Sequence, residues 1–408
     1  MSLSTAALEQ AATPQLFPGL TRMRITFGMQ CNVRCTMCYQ TDFSPKFNMD
    51  PVLYRERLRE VYPQLRGVKL IGGEPTIMKN VREAARILRD YPKAKLTITT
   101  NGIQIDDFWL ETFANQGKLV EVSINAATEP AYDKIVVLGN YQKVIRNVER
   151  ILACRTSKTP DVHLTAVVLK ENVFEIAKLI QLGADLGVDH VGFITDPILS
   201  RAGFPPYSQI RAELETAREV REKTGMGVSG LDGFEGLFLS NPAERVWSPD
   251  TAGARKMCAQ PFNNAAIDWN GDVRVCGNTW VKMGNLYKQS FEEIWNGKVA
   301  QQFRKKMRNG NYTWCSPTCE DNAKPNRLAL VYKYVYRIRE DPKQFGRKVH
   351  QKTSQLLGTW VKVKPKKKAD TAAAAPEKPK ELLPIIQNNS LVAAASSHCE
   401  SSGACGDD

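Results

Sequence analysis

Cys31, Cys35 and Cys38 stand in the stretch CNVRCTMC, a C-x3-C-x2-C spacing. A structural zinc ion takes four protein ligands, and disulfides use cysteines in even numbers. Three close thiols instead predict a metal centre with one position left open for chemistry. Unrelated buried thiols, or part of a zinc site, are the plainer alternative. Thiolates suit soft metals and iron–sulfur clusters. A second set, Cys258, Cys276, Cys315 and Cys319, is separated by 17, 38 and 3 residues. Two of these flank an expected hairpin and two come from a later turn, as four-ligand sites are often built. By itself this set reads as a structural zinc site. Ten cysteines in 408 residues are too few for a disulfide scaffold. Their spacing predicts metal binding in a reducing compartment, hence the cytoplasm.

Other residues could serve these centres. GGEP, Gly72 to Pro75, ends a predicted strand, where adjacent glycines let backbone approach a ligand closely. SIN, Ser123 to Asn125, ends another. Cys154 is expected to be a packed core thiol, and His163 and His190 structural residues on strands. His398, Cys399 and Cys405 fall in a Ser-rich terminus and read as incidental.

The elements that must position these residues show a clear rhythm. Residues 1–22 lack a period and read as a lead-in. From Met23, MRITFGM alternates apolar and polar, the mark of a half-buried strand. DPVLYRERLREVYPQL predicts a helix, with Asp50 as N-cap and Pro51 at its first position. VKLIGG, AKLTITTNG, LVEVSINAA, VHLTAVVL and HVGFIT read as further strands, each followed by a helical pattern. The six βα units imply a parallel sheet covered by helices. Periodicity leaves an open doubly wound sheet and a barrel equally possible. After about Gly230 the rhythm stops. CAQPFNNAAIDWNGDVRVC predicts a hairpin turning at Asn270–Gly271. SFEEIWNGK predicts a short helix with Ser290 and Glu293 as a capping box.

With the strand before them, the three cysteines resemble the signature of the radical S-adenosylmethionine (radical SAM) superfamily. The resemblance covers roughly residues 23 to 325. It implies a partial (βα)6 TIM barrel over residues 23–230. It also implies that Cys31, Cys35 and Cys38 hold a 4Fe–4S cluster whose fourth iron binds S-adenosylmethionine. GGEP would meet the methionine part, with Glu74 near its ammonium, and Ser123 and Asn125 would face its carboxylate or ribose. The residue before the third cysteine is often aromatic in the family; here it is Met37, with Tyr39 in partial replacement beside the adenine. GDVRVC and EIWN resemble the SPASM/twitch extension, implying a small α+β domain over residues 231–325. Its four cysteines then hold one auxiliary 4Fe–4S cluster.

The implied activity is reductive cleavage of S-adenosylmethionine to a 5′-deoxyadenosyl radical that abstracts a substrate hydrogen. A fully ligated auxiliary cluster fits an electron acceptor, so oxidation of a small-molecule or carbohydrate-like metabolite is expected. The short segment before the first strand argues against a leader-binding domain. A ribosomal-peptide maturase forming a cross-link or thioether is the second reading, and a non-catalytic nucleic-acid-binding protein the third. A reducing partner such as flavodoxin or ferredoxin is implied.

The net charge of +13 is uneven. Lys324 to Lys368 holds fourteen Lys or Arg against Glu340 and Asp341. A basic helical segment is expected over 326–362 and a disordered tail over 363–408. The basic tail either attracts anionic partners or is simply solvated. No apolar run reaches the roughly 18 to 20 residues of a membrane span, and the N-terminus lacks a secretory signal.

Overall fold

A computed structural model describes residues 17–40, 43–194, 205–231 and 258–316, with the single positions 335 and 338. Cys319, the histidine and cysteines near the C-terminus, the tail and most of the expected basic helix lie outside the described residues.

The expected strands form in order: β1 (Arg22–Thr26), β3 (Gly67–Ile71), β4 (Lys95–Thr100), β5 (Gly117–Ser123), β7 (Asp161–Val167) and β8 (His190–Ile194). Each pairs in parallel with the next, and β9 (Gly227–Ser229) adds a further parallel strand beyond β8. From β1 to β9 the strand order does not reverse. That is the singly wound order of a barrel wall, not of a doubly wound sheet.

Helices α1 (Lys79–Leu88), α2 (Asp107–Gln116), α3 (Glu129–Ile135), α4 (Tyr141–Ala153), α5 (Ile176–Leu186) and α6 (Tyr207–Thr224) lie between these strands. Alternate strand residues (Met23, Ile25, Val68, Leu70, Val120, Val122, Val162 and Leu164) are buried in the core. The period of two therefore turns Arg24, Lys69, Glu121, His163 and His190 to the opposite, concave face. Gly187 and Gly225 end α5 and α6 in the left-handed region, as helix-stopping glycines do.

The helix expected over residues 50–65 is broken. Leu53–Arg57 forms one π-helical turn and Tyr62–Gln64 a 3-10 turn. The Leu58 amide reaches back to the Leu53 carbonyl at 3.0 Å, and the Tyr62 hydroxyl donates to the Tyr54 carbonyl at 2.7 Å. The hydroxyl takes the acceptor that a regular helix gives to the Leu58 amide.

The cysteine-rich region adds its strands to the same sheet. β10 (Asn264–Ile267) pairs in parallel with β1, Arg22 opposite Asn264 and Ile25 opposite Ile267. β11 (Asp272–Arg274) and β12 (Gly284–Asn285) extend it antiparallel, giving ten strands. The turn at Asn270–Gly271 forms, with Gly271 at φ +80°. Helices α7 (Gln260–Asn263), α8 (Phe291–Asn296) and α9 (Lys298–Arg308) follow this edge, and the Ser290–Glu293 capping box is present. The end of the lead-in is ordered too: Phe17 and Leu20 are fully buried, and Phe17 packs edge-on to Phe291 at 5.3 Å.

Candidate iron–sulfur and substrate site

The three-cysteine loop leaves the C-terminal end of β1, and its position is fixed by backbone. Phe27 donates to Ile71, Gly73 to Gly28 at 2.9 Å, and Glu74 to Gln30 at 2.8 Å. The GG pair makes this contact possible. A Cβ on Gly73 would lie 2.2 Å from the Gln30 carbonyl oxygen. The backbone that the glycines admit is the protein's own. Further on, β2 (Arg34–Cys35) pairs antiparallel with β6 (Val136–Val137), which the sequence reading missed, as it missed α3. Thr36 donates to Ile135 and Cys38 to Cys35.

Cys31, Cys35 and Cys38 are half-buried, and the Gln40 amide donates to the Cys38 sulfur at 3.5 Å. Burial pushes Cys31 up to about 11, and the charges of Glu74 and Cys38 add to that. Burial pushes Cys35 up to about 12, with Cys38 and Cys31 adding. Cys38 is raised by burial as well. Such thiols shed their protons only to a cation that replaces them, which is what an iron–sulfur cluster offers. Among the described residues, no three His, Cys, Asp or Glu side chains gather as ligands of a single ion would.

Glu74 is buried. Its carboxylate accepts from the Thr76 amide (3.1 Å), the Thr76 and Thr100 hydroxyls (2.7 Å each) and the Asn101 amide (2.6 Å). Burial pushes its carboxyl up, and these donors oppose that by favouring the charged form. The Asn101 side chain continues to Asn32, next to Cys31, at 2.7 Å. Pro75 opens the 3-10 turn Pro75–Ile77, which Glu74 caps. Gly72 lies beside Met78 and Gly28. Asn125 is buried at φ +61°, its side chain spent on the Ser123 carbonyl and the Val167 amide. Ser123 is half-buried, 3.5 Å from the Thr165 hydroxyl, and Tyr39 is exposed. Cys154 is half-buried and donates to the Ile151 carbonyl.

Cys258, Cys276 and Cys315 line one cavity of about 420 Å³. Hydrogen bonds stitch their turns together. Thr279 donates its amide and hydroxyl to the Cys276 carbonyl, Trp280 its indole to the Cys315 carbonyl, and Ser316 its amide to Asn278. Arg304 donates to the carbonyls of Pro261 and Trp295 and stacks on Trp295, tying α7 to α8.

The opposite wall of the cavity is the concave sheet face, with Arg22, Arg24, Lys69, Lys118 and Glu121. Lys69 and the Thr99 hydroxyl donate to Glu121. Burial alone would raise the Glu121 carboxyl; Lys69, Thr99 and His163 outweigh it and hold it below its ordinary value. Arg24 lies against Gly277, whose missing Cβ would sit 2.2 Å from the guanidinium. Among the described residues Arg24 makes no hydrogen bond or ion pair within contact distance. Sequence reasoning missed these residues. Their signal was a charged side chain at alternate positions of strands whose other face is wholly apolar.

This arrangement, a cysteine loop at the mouth of an open αβ barrel and a second cysteine set on its lumen, defines an iron–sulfur protein. Residues 25–183 match the radical SAM superfamily, and residues 258–320 match an iron–sulfur cluster-binding domain, SPASM. The chain belongs to the radical SAM superfamily and carries a C-terminal SPASM domain. It is an enzyme of that superfamily, whose cofactors are 4Fe–4S clusters and S-adenosylmethionine. It is 29% identical over 223 residues to GTP 3′,8-cyclase of Mesorhizobium japonicum, covering 50% of this chain and 66% of that protein. It is 26% identical to GTP 3′,8-cyclase of Clostridium perfringens, over 41% of this chain and 53% of that protein. The chain thus spans about half to two thirds of the length of these relatives. Similar solved structures include Streptococcus suis SuiB bound to its precursor peptide SuiA (TM-score 0.53, 16% identity, 70% of this chain and 66% of that one). Another is anSMEcpe with bound S-adenosylmethionine (TM-score 0.52, 15% identity, 83% and 98%). At these identities the two structures speak for the fold. Among the described residues no helix is long and apolar enough to cross a membrane.

Proposed function

We propose that this chain oxidises a small-molecule metabolite bearing an anionic group, using a radical derived from S-adenosylmethionine. When bound, the cofactors supply two things: reductive cleavage of S-adenosylmethionine to a 5′-deoxyadenosyl radical, and an electron acceptor at the second cluster. Cys31, Cys35 and Cys38 hold the first cluster; Cys258, Cys276, Cys315 and Cys319 hold the second. Gly72, Gly73, Glu74 and Pro75 set the floor on which S-adenosylmethionine lies. Ser123 at the end of β5 and Tyr39 of the cysteine loop are its further contacts, and Asn125 holds the turn that follows Ser123. The chain's own walls orient the substrate and keep water from the radical.

The cavity between the strands and the second cysteine set carries this reading. Four of its side chains are cationic and one is a carboxylate, already matched to Lys69. Arg24 is left as a planar fork suited to a carboxylate or phosphate. The relatives named for GTP chemistry act on such an anionic small molecule, which supports the substrate class.

The test uses anaerobically reconstituted full-length protein reduced with dithionite. 5′-Deoxyadenosine should form, and a Cys31/Cys35/Cys38→Ala triple variant should lose it while keeping one cluster's worth of iron. Anionic metabolites fractionated from a cell extract should stimulate its formation. Wild-type protein that makes no 5′-deoxyadenosine sinks the activity; stimulation by the peptide fraction alone transfers the substrate to peptides.

A further inference from the structure

Most charges around the second cysteine set are matched. Lys69 donates to Glu121, Arg274 pairs with Asp268 at 2.9 Å, and Lys282 pairs with Asp272 at 3.0 Å. Arg22 donates to the Asn263 side chain at 3.1 Å. Lys118 stands exposed near the start of β5. Arg24 has no such partner among the described residues, and it is pressed against the backbone of the cysteine set itself. Gly277 follows Cys276. A Cβ on Gly277 would lie 2.2 Å from one guanidinium nitrogen and 3.0 Å from the guanidinium carbon. Any side chain at position 277 would push the guanidinium away; glycine lets it settle beside a cluster ligand. The backbone does not itself require glycine there, since Gly277 lies outside the left-handed region.

The charge of Arg24 is felt at the set. Burial among the cavity walls lowers its guanidinium from the ordinary value, and the charges of Asp268, Cys276 and Glu121 act against that. Arginine stays protonated all the same. Asp268 and Glu121 each already answer another cation, Arg274 and Lys69. A 4Fe–4S cluster gains negative charge on reduction, and nearby charge is one of the terms that set its potential. A cation held beside a ligand therefore favours the reduced form.

We propose that Arg24, seated against Gly277, raises the reduction potential of the cluster held by Cys258, Cys276, Cys315 and Cys319 and so makes it an electron acceptor. This rests on the cluster assignment made under the function proposed above.

The test is a potentiometric titration, followed by EPR, of reconstituted full-length protein carrying Cys31/Cys35/Cys38→Ala, so that the second cluster is the sole iron centre. No substrate is added, because an anion would share the guanidinium. In Arg24→Gln the reduction equilibrium should fall at least about threefold, roughly 28 mV at about 59 mV per tenfold. Arg24→Lys, which keeps the charge, should recover at least about half of that fall. Gly277→Ala should lower the midpoint when Arg24 is present and leave it unmoved in the Arg24→Gln background, because its methyl acts by displacing the guanidinium. Lys118→Gln removes the same charge from an exposed wall position and should have less than about half the effect. A change below about 1.5-fold in Arg24→Gln overturns the proposal, as does an equal fall in Arg24→Lys or in Lys118→Gln. Should Arg24→Gln load no cluster, Gly277→Ala decides, and an unmoved midpoint there overturns it. A parent triple variant without iron sinks the second cluster and this proposal together. A cluster that titrates but ignores Arg24 sinks this proposal alone.

Discussion

Single residues in this protein are matched to their surroundings with little slack. Glu74 has four donors and no solvent. Glu121 is the more testable case, because one cation decides its state. Lys69 and Glu121 are 35% and 21% exposed, so water screens the pair in part. Held below its ordinary value, Glu121 adds stability above the unfolded carboxylate range; that stability is lost as pH falls through its folded value. In Lys69→Met the sign reverses, since burial then raises the carboxyl. Urea unfolding should show a loss of about 1 kcal/mol at neutral pH that shrinks as pH falls through roughly 4.3. A loss independent of pH would mean that Lys69 acts by packing alone.

Among elements, the decisive junction is where the end of β3 meets the loop leaving β1. Gly73 and Gln30 touch backbone to backbone, so Gly73→Ala must displace the segment that leads into Cys31. Iron bound after reconstitution should fall by about one cluster, while helix content by circular dichroism stays near wild type. Full iron loading in that variant would show that the loop adapts. Much at this scale was legible in the sequence. Alternation revealed the strands, the glycines at 187 and 225 stopped their helices, and the cysteine spacing marked the loop. The break at residues 53–64 was not legible, because it turns on where the Tyr62 hydroxyl points. Nor was the β2–β6 ladder, whose two-residue strands are too short to show a period. The charged lumen was hidden for a different reason. Arg24, Lys69 and Glu121 look like solvent-facing strand residues until the sheet curves and brings them together.

At the scale of the whole molecule, strands of the barrel and of the cysteine-rich region share one sheet. A parallel pairing between β1 and a strand some 240 residues later leaves no local mark. Its consequence is mechanical: β1 is an interior strand, so weakening the SPASM edge weakens the barrel. Ile267→Ala removes a fully buried side chain from β10 and should cost about 2–5 kcal/mol. Hydrogen exchange should speed up in residues 107–116 as well as in 264–267. Faster exchange confined to 264–267 would show that the edge melts on its own.

The ten-stranded sheet ends at β12 on one side and at the three-residue β9 on the other, and no hydrogen-bonded pair joins these ends among the described residues. The cluster loop hangs from β1, three strands in from one end and six from the other. Initiation and selectivity therefore share β1: the cysteine loop leaves its C-terminal end, while Arg22 and Arg24 of the same strand face the cavity.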